Sequence, residues 1–166
     1  MKQYAIMFAA LAAGVACASS MAAAAQPALT SVLHVEKVRR VHGKEVVGPV
    51  LRATPGEVLR YEAVYTSHDR ATIRGLLVTL PVPAHTVFEP PRDKGMAPAQ
   101  ASIDGKHFVT YPAMRLVRTA GGAMVKKPVP DSQYRDLRWS IGTLAPGASK
   151  TVYMDVKVPA FTANDR

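Results

Sequence analysis

Apolar and polar residues alternate along several short stretches of this chain, and strict alternation is typical of strands with one buried face and one solvent-facing face. The pattern covers residues 59–65 and 76–80, and it is clearest over residues 152–158, where three valines and Met154 share one face. Each stretch is therefore predicted to be a half-buried strand whose apolar face contributes to a common core.

Proline and glycine mark the turns between these strands. Pro55-Gly56 precedes the first alternating stretch and Pro146-Gly147 precedes the last, as expected of tight turns that open strands. Residues 29–47 are predicted to form a strand or hairpin that turns at His42-Gly-Lys44. The imperfect alternation and the charges of this stretch suit an edge strand.

The stretch 90–129 is predicted to be an irregular insertion, because it is rich in proline and glycine and its alternation is weak. Two hairpins are still expected within it, one with a two-residue turn at Asp104-Gly105 and one around Gly121-Gly122. Loops commonly carry the function of a β-sandwich, so binding residues are sought in this stretch first.

The whole pattern indicates the fold class. No segment of ten or more residues after position 25 shows a helical period, and strands recur about every ten residues. The sequence therefore predicts an all-β sandwich of about seven strands, with residues 26–166 as a single domain. A lone tryptophan on an alternating strand usually anchors a core. The predicted core residues are Tyr61, Trp139, Val152, Met154 and Val156.

The first 25 residues are predicted to be a signal peptide, because Lys2 is followed by an uncharged run of small and apolar residues. Small residues at the recognition positions place the cleavage between Ala25 and Gln26. Lipidation at Cys17 is an alternative, but the leucine usual three residues upstream is absent. A permanent anchor is disfavoured because alanine, glycine and serine are weakly apolar. The expected product is periplasmic or secreted, with no stable membrane span in residues 26–166.

The chain is basic. It carries 21 Lys and Arg against 12 Asp and Glu, a formal net charge of +9, and only Lys2 of these cations lies in the predicted signal peptide. An exported cationic protein meets anionic polymers, whereas nucleic-acid binding is not predicted, because it needs a cytosolic address and interleaved aromatic residues. Surface charge that only maintains solubility is the alternative. The candidate binding residues are Arg115, Arg118, Lys126 and Lys127.

No set of residues predicts catalysis. There is no Gly-x-Ser-x-Gly elbow, and Cys17, which is the only cysteine, lies in the predicted signal peptide, so a thiol nucleophile is excluded from the mature chain. We therefore expect no enzyme activity and no cofactor. Histidine and methionine suit copper, but none stands in a clustered motif, so no metal site is predicted. The best-placed residues for one are Met96, His107 and Met114.

Three segments carry a family resemblance: Pro55-Gly-Glu-Val-Leu-Arg-Tyr61, Leu77-Val-Thr-Leu-Pro-Val-Pro83 and Arg138-Trp-Ser-Ile-Gly-Thr-Leu-Ala-Pro-Gly-Ala-Ser149. Over residues 53–158 the chain resembles the conserved repeat domain of bacterial envelope proteins, the domain of unknown function numbered eleven. The resemblance implies an exported immunoglobulin-like sandwich and implies no catalytic residues. The chain departs from the long members of that family in carrying a single copy, and it has Thr79 where many relatives have Asp.

These observations predict an exported, non-catalytic envelope protein that acts as a binding or structural module and recognises a protein or an anionic polymer. Two other hypotheses stay open. The first is an accessory or chaperone protein for surface assembly, which would present an accessible edge strand at residues 29–41. The second is a periplasmic copper-binding protein. The sequence indicates neither the ligand nor the oligomeric state.

Overall fold

The structure is a computed structural model, and it describes residues 27–160. The predicted signal peptide, its cleavage site between Ala25 and Gln26, and Cys17 lie outside the described residues. Two short 3-10 helices span Lys94–Met96 and Asp131–Gln133. The strands are β1 (Leu29–Val41), β2 (Lys44–Pro49), β3 (Val58–Ser67), β4 (Ile73–Pro81), β5 (Val87–Glu89), β6 (Gln100–Ser102), β7 (Val109–Thr110), β8 (Met114–Arg118), β9 (Met124–Pro128), β10 (Asp136–Leu144) and β11 (Ser149–Lys157).

Antiparallel pairing arranges the strands of the described chain in two packed sheets and one separate hairpin. The larger sheet has the order β2-β1-β3-β11-β5, and the smaller sheet has the order β4-β10-β6-β7. Among residues 27–160, β8 pairs only with β9. The predicted all-β sandwich is confirmed. It has more strands than the seven or so expected, because the two hairpins predicted within residues 90–129 add β6 to β9, and because β5 is only three residues long and too short to show alternation.

The core lies between the two sheets, where the inward faces of β3 and β11 meet those of β4 and β10. Leu137 of β10 is fully buried. Trp139 is 6% exposed, and its Nε1 donates a hydrogen bond of 2.9 Å to the backbone carbonyl of Met96. The indole N–H, which is the only hydrogen-bond donor of this buried side chain, therefore has an acceptor. Of the residues expected in the core, the buried ones are Trp139, Val152, Met154 and Val156, and the half-buried one is Tyr61.

The first hairpin forms one border of the larger sheet. His42 and Gly43 make its two-residue turn with φ angles of 51° and 78°, as a type I′ turn requires, so the predicted hairpin is confirmed. β2 pairs with β1 only over residues 36–41, so within the described chain the expected edge strand is covered along one half and open over residues 29–35. The hairpin also extends past the smaller sheet, since Val41 and Val46, on its inward face, are 48% and 44% exposed.

The stretch 90–129 contains both hairpins that the sequence predicts within it. It contains β6 and β7, which belong to the smaller sheet, and the β8–β9 hairpin. The expected hairpin around Asp104 is present, but the prediction of a two-residue turn is wrong, because residues 103–108 connect β6 to β7. The Asp104 carboxylate accepts the backbone N–H groups of Lys106 and His107 at 2.8 Å each, which stabilises a wider loop.

Candidate binding site on a cationic hairpin

The β8–β9 hairpin carries all four candidate binding residues. We call residues 114–128 the cationic hairpin. Arg115 lies directly opposite Lys127, Lys126 is the neighbour of Lys127 in β9, and Arg118 is the last residue of β8. The antiparallel register therefore brings onto one two-stranded element the four cations that the sequence places in two separate pairs.

Glycines close the cationic hairpin. Gly121 and Gly122 lie in its loop, and Gly122 has a φ of 84°, a conformation that favours glycine. The backbone N–H of Thr119 donates to the carbonyl of Ala123 at 2.8 Å across this loop. The predicted hairpin around Gly121-Gly122 is confirmed, and its loop length determines which cations face one another.

The base of the cationic hairpin is fixed to the core. The backbone N–H of Val129 donates to the carbonyl of Ala113 at 2.8 Å, and both residues are buried. The N–H of Ala113 in turn donates to the hydroxyl oxygen of buried Tyr134 at 3.1 Å. Tyr134 packs edge-on against Phe88 and beside Tyr111. Because an isolated two-stranded hairpin is marginally stable, this anchor holds the cations in place.

The aromatic anchor is uncharged. Burial raises the pKa of Tyr111 to about 12, and burial also raises the pKa of Tyr134. The pKa of neighbouring Asp131 is raised for the same reason. The two phenols therefore stay protonated at neutral pH and act as packing and hydrogen-bonding groups.

Positive charge is concentrated on the cationic hairpin, whose own sequence contains no acid. Residues 111–130 contain four cations and no Asp or Glu. Arg115 and Lys127 form a directly opposed pair of like charges, which costs stability in an antiparallel ladder. Among residues 27–160 neither has a salt-bridge partner, and the Nη1 of Arg115 only reaches the Oε1 of Gln133 at 3.5 Å. A bound anion would relieve this repulsion.

Exposed apolar side chains accompany the cations. Met114, Leu116 and Met124 are 52%, 61% and 54% exposed. The register places them on the same face as Arg118 and Lys126, while Arg115 and Lys127 occupy the opposite face. Both faces of the hairpin are thus cationic, and one of them is also apolar.

A pocket of 310 Å³ lies at the base of the cationic hairpin. Its lining residues include Ile103, His107, Met114, Arg115 and Gln133. Two of the three residues considered for copper, His107 and Met114, thus lie at one pocket, while Met96 lines a different pocket beside Trp139. In the described part of the chain no three His, Cys, Asp or Glu side chains are placed to hold a metal ion.

His107 already has a partner at this pocket. Its Nδ1 lies 2.6 Å from the Oδ2 of Asp104. This hydrogen bond, together with the backbone N–H groups of His107 and Lys106, lowers the pKa of Asp104 well below its usual value. The pair therefore stabilises the loop between β6 and β7.

A larger cavity of 860 Å³ lies on the outward face of the larger sheet. In it the guanidinium of Arg60 donates to both carboxylate oxygens of Asp155 at 2.8 Å, pairs with Glu45, and stacks over the ring of Tyr153 at 4.0 Å. Hydrogen bonding to Asp155 raises the pKa of Arg60. Because the charges around Arg60 neutralise one another, this cavity offers less to an anionic ligand than the cationic hairpin does.

Sequence reasoning did not predict the Arg60–Asp155 ion pair. The two residues are 95 positions apart, and only the pairing of β3 with β11 brings them together. The one sequence signal was that both occupy polar positions of alternating strands, which many other charged residues share.

Comparisons of the chain with protein-family models, with curated proteins and with solved structures found no match. The resemblance to the envelope repeat domain stays a prediction. Over residues 27–160 there is no helix with the length and apolar character needed to cross a membrane. The case for a function therefore depends on the cationic hairpin itself.

Proposed function

We propose that the protein is an exported, non-catalytic module of the bacterial cell envelope that binds an anionic polymer through the cationic hairpin. The observation that carries this proposal is the directly opposed pair of Arg115 and Lys127. Repulsion between them is retained in the free protein, and a polyanion that contacts both removes it. Binding to an anion thus gains energy from the relief of a repulsion that the fold itself imposes.

The chemistry of the pair suits a chain of repeated anionic groups. Directly opposed side chains of an antiparallel pair have Cβ atoms about 5 Å apart, so two neighbouring charges of a polymer can be contacted together. The guanidinium of Arg115 can donate two parallel hydrogen bonds to a carboxylate, sulfate or phosphate group, and Lys127 adds a point charge. Arg118 and Lys126 extend the contact to the other face of the hairpin.

Retention on immobilised heparin, a sulfated polysaccharide, tests the proposal. We expect the double variant Arg115→Gln/Lys127→Gln to elute at a clearly lower salt concentration than the unchanged protein, because two of the contacts that release counterions are lost. The matched control is Arg74→Gln/Lys150→Gln, which removes the same charge from two exposed residues on other strands. Circular dichroism confirms that both variants fold.

Equal loss of retention in the two double variants would overturn the proposal, because it would mean that the net charge of the molecule, rather than the hairpin, attracts the polymer. Retention that does not depend on salt would overturn it as well, since an ionic contact weakens as counterions compete.

Export is tested separately. We expect the protein in the periplasmic or secreted fraction to begin at Gln26, as mass spectrometry of the intact chain would show. A chain that keeps residues 1–25, or one that carries lipid at Cys17, would contradict this part of the proposal.

A further inference from the structure

The larger sheet has an open edge along Leu29–Val35 of β1. Among the described residues β2 covers only positions 36–41 on this side, and the other side of the strand is paired with β3. Val32 and Leu33 point to opposite faces, yet each is 54% exposed. We propose that two copies of the chain associate through this edge, with Leu29–Val35 of each copy paired antiparallel about a two-fold axis. The proposal is independent of the cationic hairpin.

The backbone of this segment is oriented for such pairing. The N–H of His68 donates to the carbonyl of Ala28 at 2.8 Å, so the even-numbered residues of β1 direct their N–H and C=O groups toward β3. The pairing of Val41 with Lys44 at the hairpin turn is consistent with this orientation. It directs the backbone groups of the odd-numbered residues of β1 away from β3, toward β2 and the open edge. The residues whose backbone groups face the open edge are therefore Leu29, Ser31, Leu33 and Val35.

One two-fold register satisfies these backbone groups. When Val32 lies opposite the partner's Val32, odd-numbered residues face odd-numbered residues, so that Leu29 faces the partner's Val35 and Ser31 faces the partner's Leu33. Each N–H and C=O at the open edge then gains a hydrogen-bond partner. Residues 29–35 contain no Asp, Glu, Lys or Arg, so no like charges are opposed.

The four other strands at the ends of the two described sheets have features that oppose pairing. β2 carries Lys44 and Glu45 and ends at Pro49, and β4 carries Arg74 and ends at Pro81. β5 and β7 are only three and two residues long. The open segment of β1 has seven residues without a proline or a fixed charge, so it lacks the features that oppose pairing at these end strands.

A second copy of the chain matches the space at this edge. Pro49 ends β2 opposite Glu36, so a strand that continues the edge has room only beside positions 29–35. The open segment of a second copy has this same length of seven residues. The chain has a formal net charge of +9, and two copies of a basic protein approach each other most easily at an uncharged surface.

A cysteine at the two-fold axis tests the register. In a Cys17→Ser background, Val32→Cys places two thiols in a non-hydrogen-bonded pair, where the separation of the Cα atoms is within the range that a disulfide spans. We expect mild oxidation to convert most of this variant to a covalent dimer. Leu77→Cys is the matched control, because Leu77 is also 54% exposed and lies on the smaller sheet. It should stay monomeric on a non-reducing gel.

Sedimentation tests association without an oxidant. We expect the unchanged protein to dimerise reversibly, and Val32→Lys to weaken dimerisation by about tenfold or more, because two lysines then face each other at the axis. Leu77→Lys should dimerise like the unchanged protein. Both substitutions are at equally exposed positions, so the folded monomer is retained. Retention on heparin should not fall in Val32→Lys, which separates this experiment from the test of the cationic hairpin.

Three outcomes would overturn the proposal. The first is a monomer at all concentrations with equal cross-linking of the two cysteine variants. The second is a monomer in which the thiol introduced by Val32→Cys resists thiol reagents, which would mean that another part of the same chain covers the edge. The third is cross-linking of the Val32→Cys variant to a different envelope protein in place of a second copy, which would indicate a strand supplied by a secreted subunit.

Discussion

Glu57 is a carboxylate whose protonation depends on the fold. Its Oε2 accepts the backbone N–H of Thr54 at 3.0 Å, and its Oε1 pairs with Lys37 of β1. Hydrogen bonding from Lys37, with a further contribution from Thr54, lowers the pKa of Glu57 from 4.5 to about 2. The pair ties the turn before β3 to the neighbouring strand.

Glu57→Gln should therefore lower stability in a pH-dependent way. A carboxyl whose pKa is lower in the folded state stabilises the fold above its unfolded pKa, so the contribution is complete above about pH 4.5 and is lost as pH falls toward 2. Urea unfolding at several pH values checks this. The difference between the variant and the unchanged protein should shrink between pH 4.5 and 2. Glu62→Gln, which removes a carboxylate of β3 that has no ion pair within the described chain, should show a smaller difference.

Asp155 is expected to matter more for stability than an ordinary surface acid. Its side chain and that of Arg60 are each 12% exposed, and two hydrogen bonds of 2.8 Å join them. Asp155→Ala leaves a nearly buried guanidinium short of partners, so we expect a loss of about 1.5–3 kcal/mol in the free energy of unfolding. Glu36→Ala is the control, because Glu36 lies opposite Arg60 on the other neighbouring strand, β1. A loss as large in Glu36→Ala would contradict the assignment of the main contact to Asp155.

The cationic hairpin as an element depends on its anchor. Tyr134→Phe removes the oxygen that accepts the N–H of Ala113, so a buried donor loses its partner at a cost of about 1–3 kcal/mol. We expect faster tryptic cleavage after Arg118, because the base of the hairpin opens more often. Tyr153→Phe, which keeps the ring beneath Arg60, serves as the control. Equal cleavage of both variants would show that the hydroxyl of Tyr134 does not hold the hairpin.

Elements with a strong local signal were predictable from the sequence. The alternation of β3 and β11 and the turn chemistry of His42-Gly43 and Gly121-Gly122 placed strands and hairpins correctly. β5 was not predicted, because Val87-Phe-Glu89 is too short for a period to appear. The prediction of a two-residue turn at Asp104 was wrong, because the Asp104 carboxylate accepts hydrogen bonds from the backbone N–H groups of Lys106 and His107. These hydrogen bonds stabilise a longer loop in place of a tight turn.

The sequence allowed the residues of the candidate site to be selected, but it did not predict how they are arranged. The four cations could be selected because they lie in the proline- and glycine-rich stretch 90–129, where loops were expected to carry function. That Arg115 faces Lys127 depends on the register, which the length of the loop at Gly121-Gly122 sets and which the sequence pattern did not specify. The hydrogen bond that anchors the hairpin joins Ala113 to Tyr134, which is 21 residues further along the chain, so it forms only in the packed fold.

For the molecule as a whole, stability should depend on the core between the sheets. Leu137→Ala leaves a cavity at a fully buried position, so we expect the free energy of unfolding to fall by about 2–5 kcal/mol. Trp139, the only tryptophan in the chain, is buried beside it and provides a fluorescence signal for the transition. Leu77→Ala, at an exposed position on β4, should change stability by about 0.5 kcal/mol or less. Similar losses in the two variants would mean that the core is not between these sheets.

The extension of the β1–β2 hairpin past the smaller sheet means that the fold is not equally protected everywhere. The amide hydrogens of β3 and β11 lie in the middle of the larger sheet and above the core, so they should exchange with solvent only when the whole domain unfolds. Those of β2 lie at a rim that the core does not reach, and they should exchange through small local openings. The protein therefore loosens from this rim inward, and hydrogen exchange followed along the order β2-β1-β3-β11 would record a gradient of local stability.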